Sequence, residues 1–247
     1  MSQGFTNPFG SFSPLLSYQG LTFPNPKTIN GFVGNAGTGD IDLYTVPSNR
    51  RVLVYGLGVF FTGISSTSCY PEIKVSGSYY KLQNGQTIIT NSFAQSWVFN
   101  YIAEAGETIA VNSSVSGANI WLKGIEFDDT SGCKTAKLTS VVNGDNTLYT
   151  VPAGKTALIL NSNPATLTSG TLIIWNNSGG TRTYNLFAVP NGGSSDTSNK
   201  VRNALSVNAA IFNESPFVAA LNTGDFIVVN SDASTATQFV YITVCEV

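Results

Sequence analysis

One short motif occurs twice in the sequence and decides the fold class. Leu43–Pro47 (LYTVP) recurs 105 residues later as Leu148–Pro152 (LYTVP), and an apolar run follows each copy within a few residues. Tyr-Thr-Val is typical of an alternating strand end, and the proline ends the strand pairing because it lacks an amide donor. The motif therefore predicts a strand, a turn and a second strand in each half of the chain.

A second repeat occurs late in each half. Gly106–Ser113 (GETIAVNS) matches Gly224–Ser231 (GDFIVVNS) at an offset of 118. Two matches in the same order indicate that the chain contains two copies of one domain. The larger offset requires a net insertion in the second copy, which we place in the polar stretch 191–199, because added loops lie outside the core.

From Asp40 onward, short apolar runs alternate with turn signals, which is typical of a β-sandwich or barrel. β-branched and aromatic residues dominate the runs. Asparagine–glycine pairs stand between several of them, where left-handed backbone would be costly for other residues. The sequence therefore predicts an all-β protein built from two tandem antiparallel β-sandwiches.

Three segments follow from these patterns. Residues 1–38 mix glycine, proline and asparagine with spaced aromatic residues and lack strand periodicity, which predicts an extended N-terminal arm. The polar, turn-rich stretch Asp128–Gly132 predicts a linker. We therefore place the first sandwich at residues 39–130 and the second at residues 134–247.

Composition argues against several classes of function. With 12 basic and 14 acidic residues, the net charge of -2 favours neither nucleic acid nor an anionic membrane surface as a partner. No apolar stretch approaches the roughly 18 residues of a membrane span. The chain has no histidine, the commonest general base and zinc ligand. We therefore expect no catalytic residue, no metal and no cofactor.

The three cysteines, Cys69, Cys133 and Cys245, lie far apart and form no CxxC pair. An odd, widely spaced set favours buried free thiols over a disulfide framework. The first residues have neither a basic start nor an apolar run, so we expect no secretory signal and synthesis in a host cytoplasm.

The LYTVP turn with its apolar strand, together with the later strand of pattern Gly-Glu/Asp-x-Ile-x-Val, resembles jelly-roll modules in virion proteins of tailed bacteriophages. Such modules occur in capsid decoration proteins, head fibres and tail adhesins. The resemblance covers both copies, about residues 40–247, through short motifs. It implies two jelly-roll-like sandwiches, localisation in the virion, other virion proteins as partners, and a homo-oligomer that in this group is commonly a trimer.

The N-terminal arm fits this resemblance as an anchor. Its aromatic residues are Phe5, Phe9, Phe12, Tyr18 and Phe23. An aromatic side chain buries about 150–250 Å², so several of them in pockets of a neighbour would offset the entropy lost when the arm is ordered. These five residues form the predicted partner-anchoring set.

Candidates for chemistry are few. Asp40 and Asp42 stand at a strand entrance, and Asp128 and Asp129 stand in the predicted linker. A carboxylate pair for glycoside hydrolysis or a calcium site would draw on these residues. Their placement favours solvated turns instead.

Aromatic residues on a β scaffold can also bind sugars. Trp97, Trp121 and Trp175 alternate with apolar neighbours, which favours core packing for each. Tyr79 and Tyr80 follow a Gly-Ser turn. These two tyrosines are the predicted contacts for a host-surface glycan or a partner.

The sequence thus favours a non-enzymatic virion protein, and first among these a capsid decoration or accessory protein anchored by its arm. Two alternatives stay open: a tail or fibre adhesin that binds host-surface glycans, and a small double-jelly-roll shell protein.

Overall fold

The structure, a computed structural model, describes residues 17–247 except 19–20, 62–66, 84–85, 89–94, 98–100, 161–169, 219 and 237. Over these ranges the regular structure is β-strand apart from a 3-10 turn at Thr197–Asn199. The predicted all-β class is therefore confirmed. No helix in the described ranges has the length and apolar character needed to cross a membrane.

The first half of the chain contains the strands β1 (Ser17–Tyr18), β2 (Leu21–Thr22), β3 (Lys27–Ala36), β4 (Gly39–Thr45), β5 (Arg50–Phe61), β6 (Thr67–Val75), β7 (Ser78–Lys81), β8 (Gln86–Ile88), β9 (Gln95–Trp97), β10 (Tyr101–Ala103), β11 (Thr108–Ser113) and β12 (Ala118–Asp128).

The second half contains β13 (Cys133–Leu138), β14 (Gly144–Thr150), β15 (Ala157–Ile159), β16 (Gly170–Asn176), β17 (Arg182–Val189), β18 (Lys200–Val207), β19 (Ile211–Phe217), β20 (Ala220–Leu221), β21 (Phe226–Ser231) and β22 (Gln238–Glu246).

Both halves have the strand order of a jelly roll. Sheet 1 runs β3-β12-β5-β10 and sheet 2 runs β4-β11-β6-β7, while β9 and β8 pair with β5 and β6. In the second half, sheet 3 contains β13-β22-β16-β19, extended by β15 and β20, and sheet 4 runs β14-β21-β17-β18. Counting eight main strands in chain order, each half follows 1-8-3-6 and 2-7-4-5 with antiparallel pairs, the double Greek key of a jelly roll.

The first strand of the first jelly roll begins inside the predicted arm. Lys27–Ala36 pairs with β12 at the edge of sheet 1, so the prediction that residues up to 38 lack strands is wrong there. The strand has two glycines and buries only Ile29 and Ala36. An edge strand with so few buried side chains shows little of the alternation of apolar and polar residues by which other strands are predicted.

Most of the insertion in the second copy lies earlier than predicted. Leu57 of β5 and Leu172 of β16 pair with equivalent positions of the last strand in their jelly rolls. The sequence offset between the two copies is therefore 115 at β16, whereas it is 105 at the LYTVP motif. The added length between β15 and β16 includes residues 161–169, outside the described ranges. The predicted stretch 191–199 makes a smaller contribution, as a loop where β6 and β7 are joined by a tight turn.

The second repeat opens with the same turn in both copies. Gly106 and Gly224 adopt φ of 84° and 80°, a left-handed conformation that favours glycine. The acidic residue that follows each glycine, Glu107 or Asp225, accepts a hydrogen bond from the backbone amide three positions earlier, at 3.0 Å and 2.8 Å. These carboxylates therefore hold turns.

The two jelly rolls share one apolar core. The cluster that fills the first jelly roll also contains Phe239, Tyr241 and other side chains from the outer face of sheet 3. Tyr80 stacks on Phe239 with ring centroids 4.8 Å apart, and Tyr101 meets Tyr241 edge-on at 5.3 Å. The second jelly roll thus closes the open edge of the first between β7 and β10.

Polar contacts fix the same interface. Lys137 pairs with Glu104 at 2.8 Å and with Glu107 at 2.5 Å. Between the halves, the predicted linker is held in place, because Arg51 donates to the carbonyl of Ser131 at 2.7 Å. Asp128 belongs to β12 and not to the linker.

Cys133 and Cys245 form a disulfide across 112 residues. They are register partners on the first and last strands of the second jelly roll. The expectation of free thiols is therefore wrong for this pair, because strand pairing brings together residues whose sequence spacing gave no sign of it. Cys69 is a buried thiol, as expected.

Candidate functional site

Polar pairs that occur in both jelly rolls serve the fold. Tyr44 of the first LYTVP motif donates a hydrogen bond to Glu126, and Tyr149 of the second donates to Glu246 at 2.8 Å. Burial, with the hydrogen bond to Glu126, raises the pKa of Tyr44 to about 12. Both tyrosines therefore stay neutral donors that link the second strand of each jelly roll to its last.

Two of the carboxylates that the sequence offered for chemistry, Asp42 and Asp128, have ordinary partners. Asp128 pairs with Arg50, and Asp42 accepts hydrogen bonds from Lys74 and Tyr79. In the parts of the chain that the structure describes, no group of three or more His, Cys, Asp or Glu side chains could hold a metal ion.

Both outer faces of the second jelly roll carry apolar side chains that pack on its own chain. Sheet 3 packs on the first jelly roll. On sheet 4, Phe187, Val189 and Val228 form a buried cluster that the loop 190–199 approaches closely: a Cβ on Gly193 would lie 3.3 Å from Val189. Within this loop, Ser195 donates a hydrogen bond to Asp145 at the edge of the same sheet.

The equivalent face of the first jelly roll has no such loop. Here β6 and β7 are joined by the turn Ser76–Gly77, and by strand register Glu72 and Lys74 stand where the second copy has Phe187 and Val189. The outward side chains of sheet 2, which we call the Tyr70–Tyr79 face, are Asp40, Asp42, Tyr70, Glu72, Lys74, Tyr79, Lys81 and Asn112.

Two lysine–tyrosine pairs organise this face. The Lys74 ammonium lies 3.0 Å from Asp42 and 4.8 Å from the Tyr79 ring centroid, and Tyr79 donates to the same carboxylate at 2.9 Å. The Lys81 ammonium lies 3.8 Å from the centroid of the Tyr70 ring. Such cation–π contacts contribute about 0.5–1 kcal/mol at exposed sites, so each lysine helps to hold its tyrosine ring in place.

Glu72 is the most unusual group on the face, since it is a carboxyl group only 4% exposed. Burial and the neighbouring Asp40, to which it is hydrogen-bonded, raise the pKa of Glu72 to about 8, against a smaller opposing effect of Lys81. Glu72 is therefore mostly protonated at neutral pH.

The structure places Tyr79 on this face but not Tyr80. Neighbouring side chains in a strand point to opposite sides, so Tyr80 turns into the interface and stacks on Phe239. The prediction of a ligand contact is wrong for Tyr80, and for Tyr79 it stays a prediction.

Tyr70, Glu72 and Lys81 were not predicted. A sequence signal for the first two existed, because polar residues at 70, 72 and 74 alternate with residues that point inward, which places them together on one outer face.

The predicted anchoring residues fall into two groups. Phe5, Phe9 and Phe12 lie outside the described residues, and so does the side chain of Tyr18, whose backbone belongs to β1. Phe23 is 4% exposed and packs on Phe127 of its own chain with ring centroids 4.5 Å apart. Phe23 is therefore a core residue of the first jelly roll and not an anchor for a partner.

The three tryptophans lie in different environments. Trp175 is buried at the interface, as predicted, and Trp97 lies in β9, with its side chain outside the described parts. Trp121 lies instead on the outer face of sheet 1, so close to Gly58 that a Cβ there would be 2.2 Å from the indole. Its register partner Phe32 is 69% exposed. We call Phe32, Gly58 and Trp121 the Trp121 patch.

Comparison with known proteins leaves the family open. No family model matches the chain, and no curated protein matches it significantly. Among solved structures, the Sulfolobus turreted icosahedral virus structure has 10% identity and a TM-score of 0.27, with 89% of this chain and 59% of that chain covered. The chain thus spans less than two thirds of that protein.

Two further solved structures have similarly low sequence identity and TM-score to this chain. The tandem CBM22-1–CBM22-2 domain of Paenibacillus barcinonensis Xyn10C has 9% identity, covers 90% of this chain and 91% of its own, and gives a TM-score of 0.27. The infectious bursal disease virus Gt strain structure has 11% identity, 91% and 71% coverage, and a TM-score of 0.22. These values assign the chain to no family.

Proposed function

We propose that this chain is a non-enzymatic structural protein of a virus particle, and specifically an accessory protein that decorates the shell. The observation that carries the proposal is the joining of two jelly rolls through one apolar core, with Lys137 paired to Glu104 and Glu107 across their interface. A rigid body of this kind suits a building block or spacer.

In this proposal the N-terminal segment before Phe23 anchors the protein to the particle. The remaining candidates for that role are Phe5, Phe9, Phe12 and Tyr18. A surface with few charged side chains offers few ion pairs to a partner. Burial of these aromatic side chains in pockets of a shell protein would supply apolar contact area for the attachment instead.

Quantification of the protein in purified virus particles tests this function. A decoration protein, or a shell protein of the double-jelly-roll type, is present in copy numbers comparable to the shell subunit, and gel densitometry reads this number directly. Absence from the particles, with the protein found only in infected-cell lysate, would contradict a virion role.

A second candidate function, an adhesin that binds host-surface glycans, is favoured by the Tyr70–Tyr79 face. Two tyrosine rings flanked by carboxylate, amide and ammonium groups offer stacking surfaces together with hydrogen-bonding partners. An adhesin would be scarce on the particle, so the same densitometry separates it from the decoration protein.

Glycan-array binding by the purified protein tests the adhesin directly. An adhesin should lose glycan binding in Tyr79→Ala and keep it in Val142→Ala, which changes an apolar side chain 58% exposed in the second jelly roll. Equal loss in both variants, or no binding to any glycan, would rule out this face as a sugar site.

A further inference from the structure

The first strands of the two jelly rolls, β3 and β13, lie at equivalent sheet edges. Each pairs antiparallel with the last strand of its jelly roll. The offset of 105 residues between the LYTVP motifs applies here as well, so Phe32 of β3 corresponds to Lys137 of β13. Their register partners, Trp121 and Tyr241, are also equivalent, because each lies five residues before the carboxylate that accepts the hydrogen bond of the LYTVP tyrosine.

The edge strand β13 is short and lies against the first jelly roll. It has six residues, two of which are lysines, and short edge strands with lysine are protected against pairing with another chain. Lys137, whose side chain is 14% exposed, pairs with Glu104 and Glu107. The hydroxyl of Thr135 accepts a hydrogen bond from the amide of Ile102 in β10 at 2.9 Å. This edge is therefore protected within the chain.

The edge strand β3 lacks these protections. It has ten residues, and its one charged residue, Lys27, is the first of them. Phe32, in the middle of the strand, is 69% exposed. In the part of the chain that the structure describes, β12 is the one strand that pairs with β3. Alternate residues of β3 therefore turn their N–H and C=O groups away from the sheet, where no described strand pairs with them.

We propose that β3 is a site for strand addition, at which an extended segment of the shell protein pairs with the open edge and packs an apolar side chain beside Phe32. A row of alternating backbone donors and acceptors matches another extended backbone, and peptides recognised in this way add a strand to a sheet edge. Phe32 and Trp121 supply the apolar contact beside the edge. The choice of the shell protein as partner rests on the proposed function.

The N-terminal segment of this chain fits the edge less well than a strand of a partner does. Residues 1–16 contain Pro8 and Pro14, which lack the amide donors that strand pairing needs. The prolines leave no run longer than seven residues in this segment, against the ten residues of β3. A segment of another protein is therefore the better match to the whole edge.

Hydrogen exchange with mass spectrometry tests strand addition, because it measures protection of backbone amides. The full-length chain would be compared in purified particles and in dilute solution. The amides of Lys27–Ala36 that face away from β12 should exchange slower by about tenfold or more in the particle, whereas exposed residues 191–194 should exchange alike in both states. Unchanged exchange of β3 in particles that contain the protein would overturn this proposal alone, and absence of the protein from particles would overturn the proposed function with it.

Phe32→Lys tests the same edge by giving β3 the residue that its counterpart carries. Added to particles prepared without the protein, this variant should bind weaker than the unchanged chain by about tenfold or more, because it places a charge in the contact. Val142→Lys, the matched control at an exposed position of the second jelly roll, should bind like the unchanged chain. Circular dichroism checks that both variants keep the fold, and equal binding of the two would overturn the proposal.

Exchange in the isolated chain separates the other occupants. We expect β3 to be open there at every concentration. Protection that is lost when residues 1–16 are deleted would identify the chain's own N-terminal segment as the occupant, and protection that is lost on dilution would identify a second copy. Either result would overturn pairing with the shell protein.

Discussion

Replacement of Phe239 by alanine should destabilise both jelly rolls together. The side chain is fully buried and packs against Tyr80 and Tyr101 of the first jelly roll and Tyr241 of the second. Removal of a buried phenylalanine ring costs about 3–5 kcal/mol. In a chain of this length that loss lowers the melting temperature by roughly 10 °C.

The shared core also predicts the shape of the transition. Guanidinium unfolding, followed by circular dichroism and by tryptophan fluorescence, should give one coincident transition in the unchanged protein and in Phe239→Ala, shifted to lower denaturant in the variant. Val142→Ala, at an exposed position, should stay within about 0.5 kcal/mol of the unchanged protein. Two separate transitions in the unchanged protein, or a loss below about 1 kcal/mol in Phe239→Ala, would refute a common core.

Three further predictions concern single features. As pH rises, Glu72→Gln should become more stable relative to the unchanged protein. The raised pKa of Glu72 stabilises the unchanged protein fully below pH 4.5, and this contribution is lost by about pH 8. Between acidic and alkaline pH, the difference in unfolding free energy between the two proteins, measured with urea, should change by an amount on the order of 2–4 kcal/mol; the same difference at both pH values would contradict the prediction. Deletion of residues 1–16 should leave the melting temperature unchanged, whereas deletion of 1–38 should lower it, since it removes β3 and Phe23; equal stability of the two truncations would show that β3 is dispensable. Cys245→Ser should lower the free energy of unfolding by about 2–5 kcal/mol, because it opens a long loop, and a reductant should have the same effect on the unchanged protein. An unfolding free energy that neither change alters would contradict a stabilising disulfide.

The repeat motifs were sufficient to predict the fold because they are local. Strand, turn and glycine positions around LYTVP depend on neighbouring residues, and the structure places them as expected. The strand β3 escaped prediction because an edge strand with two glycines buries too little to leave a pattern. The Cys133–Cys245 disulfide escaped because register between distant strands is set by the whole fold.

Less of the candidate site than of the fold could be predicted from the sequence. Tyr79 was predicted from a turn signal, yet its face depends on Tyr70 and Lys81, which strand pairing brings beside it. Phe23 was predicted as an anchor because it lies in the aromatic-rich N-terminal segment, and Tyr80 as a contact because it follows a turn. Whether such a ring meets a partner or its own chain is decided by tertiary packing, as the contacts of Phe23 with Phe127 and of Tyr80 with Phe239 illustrate.

Hydroxyl-radical footprinting with mass spectrometry tests most directly the proposal that the chain is assembled into a virus particle, where its exposed apolar surface would be covered. The reactivity of Phe32 and Tyr79 would be compared between the dilute isolated chain and intact virus particles, with exposed Val142 as the internal reference. We predict that Phe32 is protected in the particle while Val142 reacts alike in both states. Equal reactivity of Phe32 and Tyr79 in both states would contradict the account, because both outer faces of the first jelly roll would then remain open to solvent after assembly.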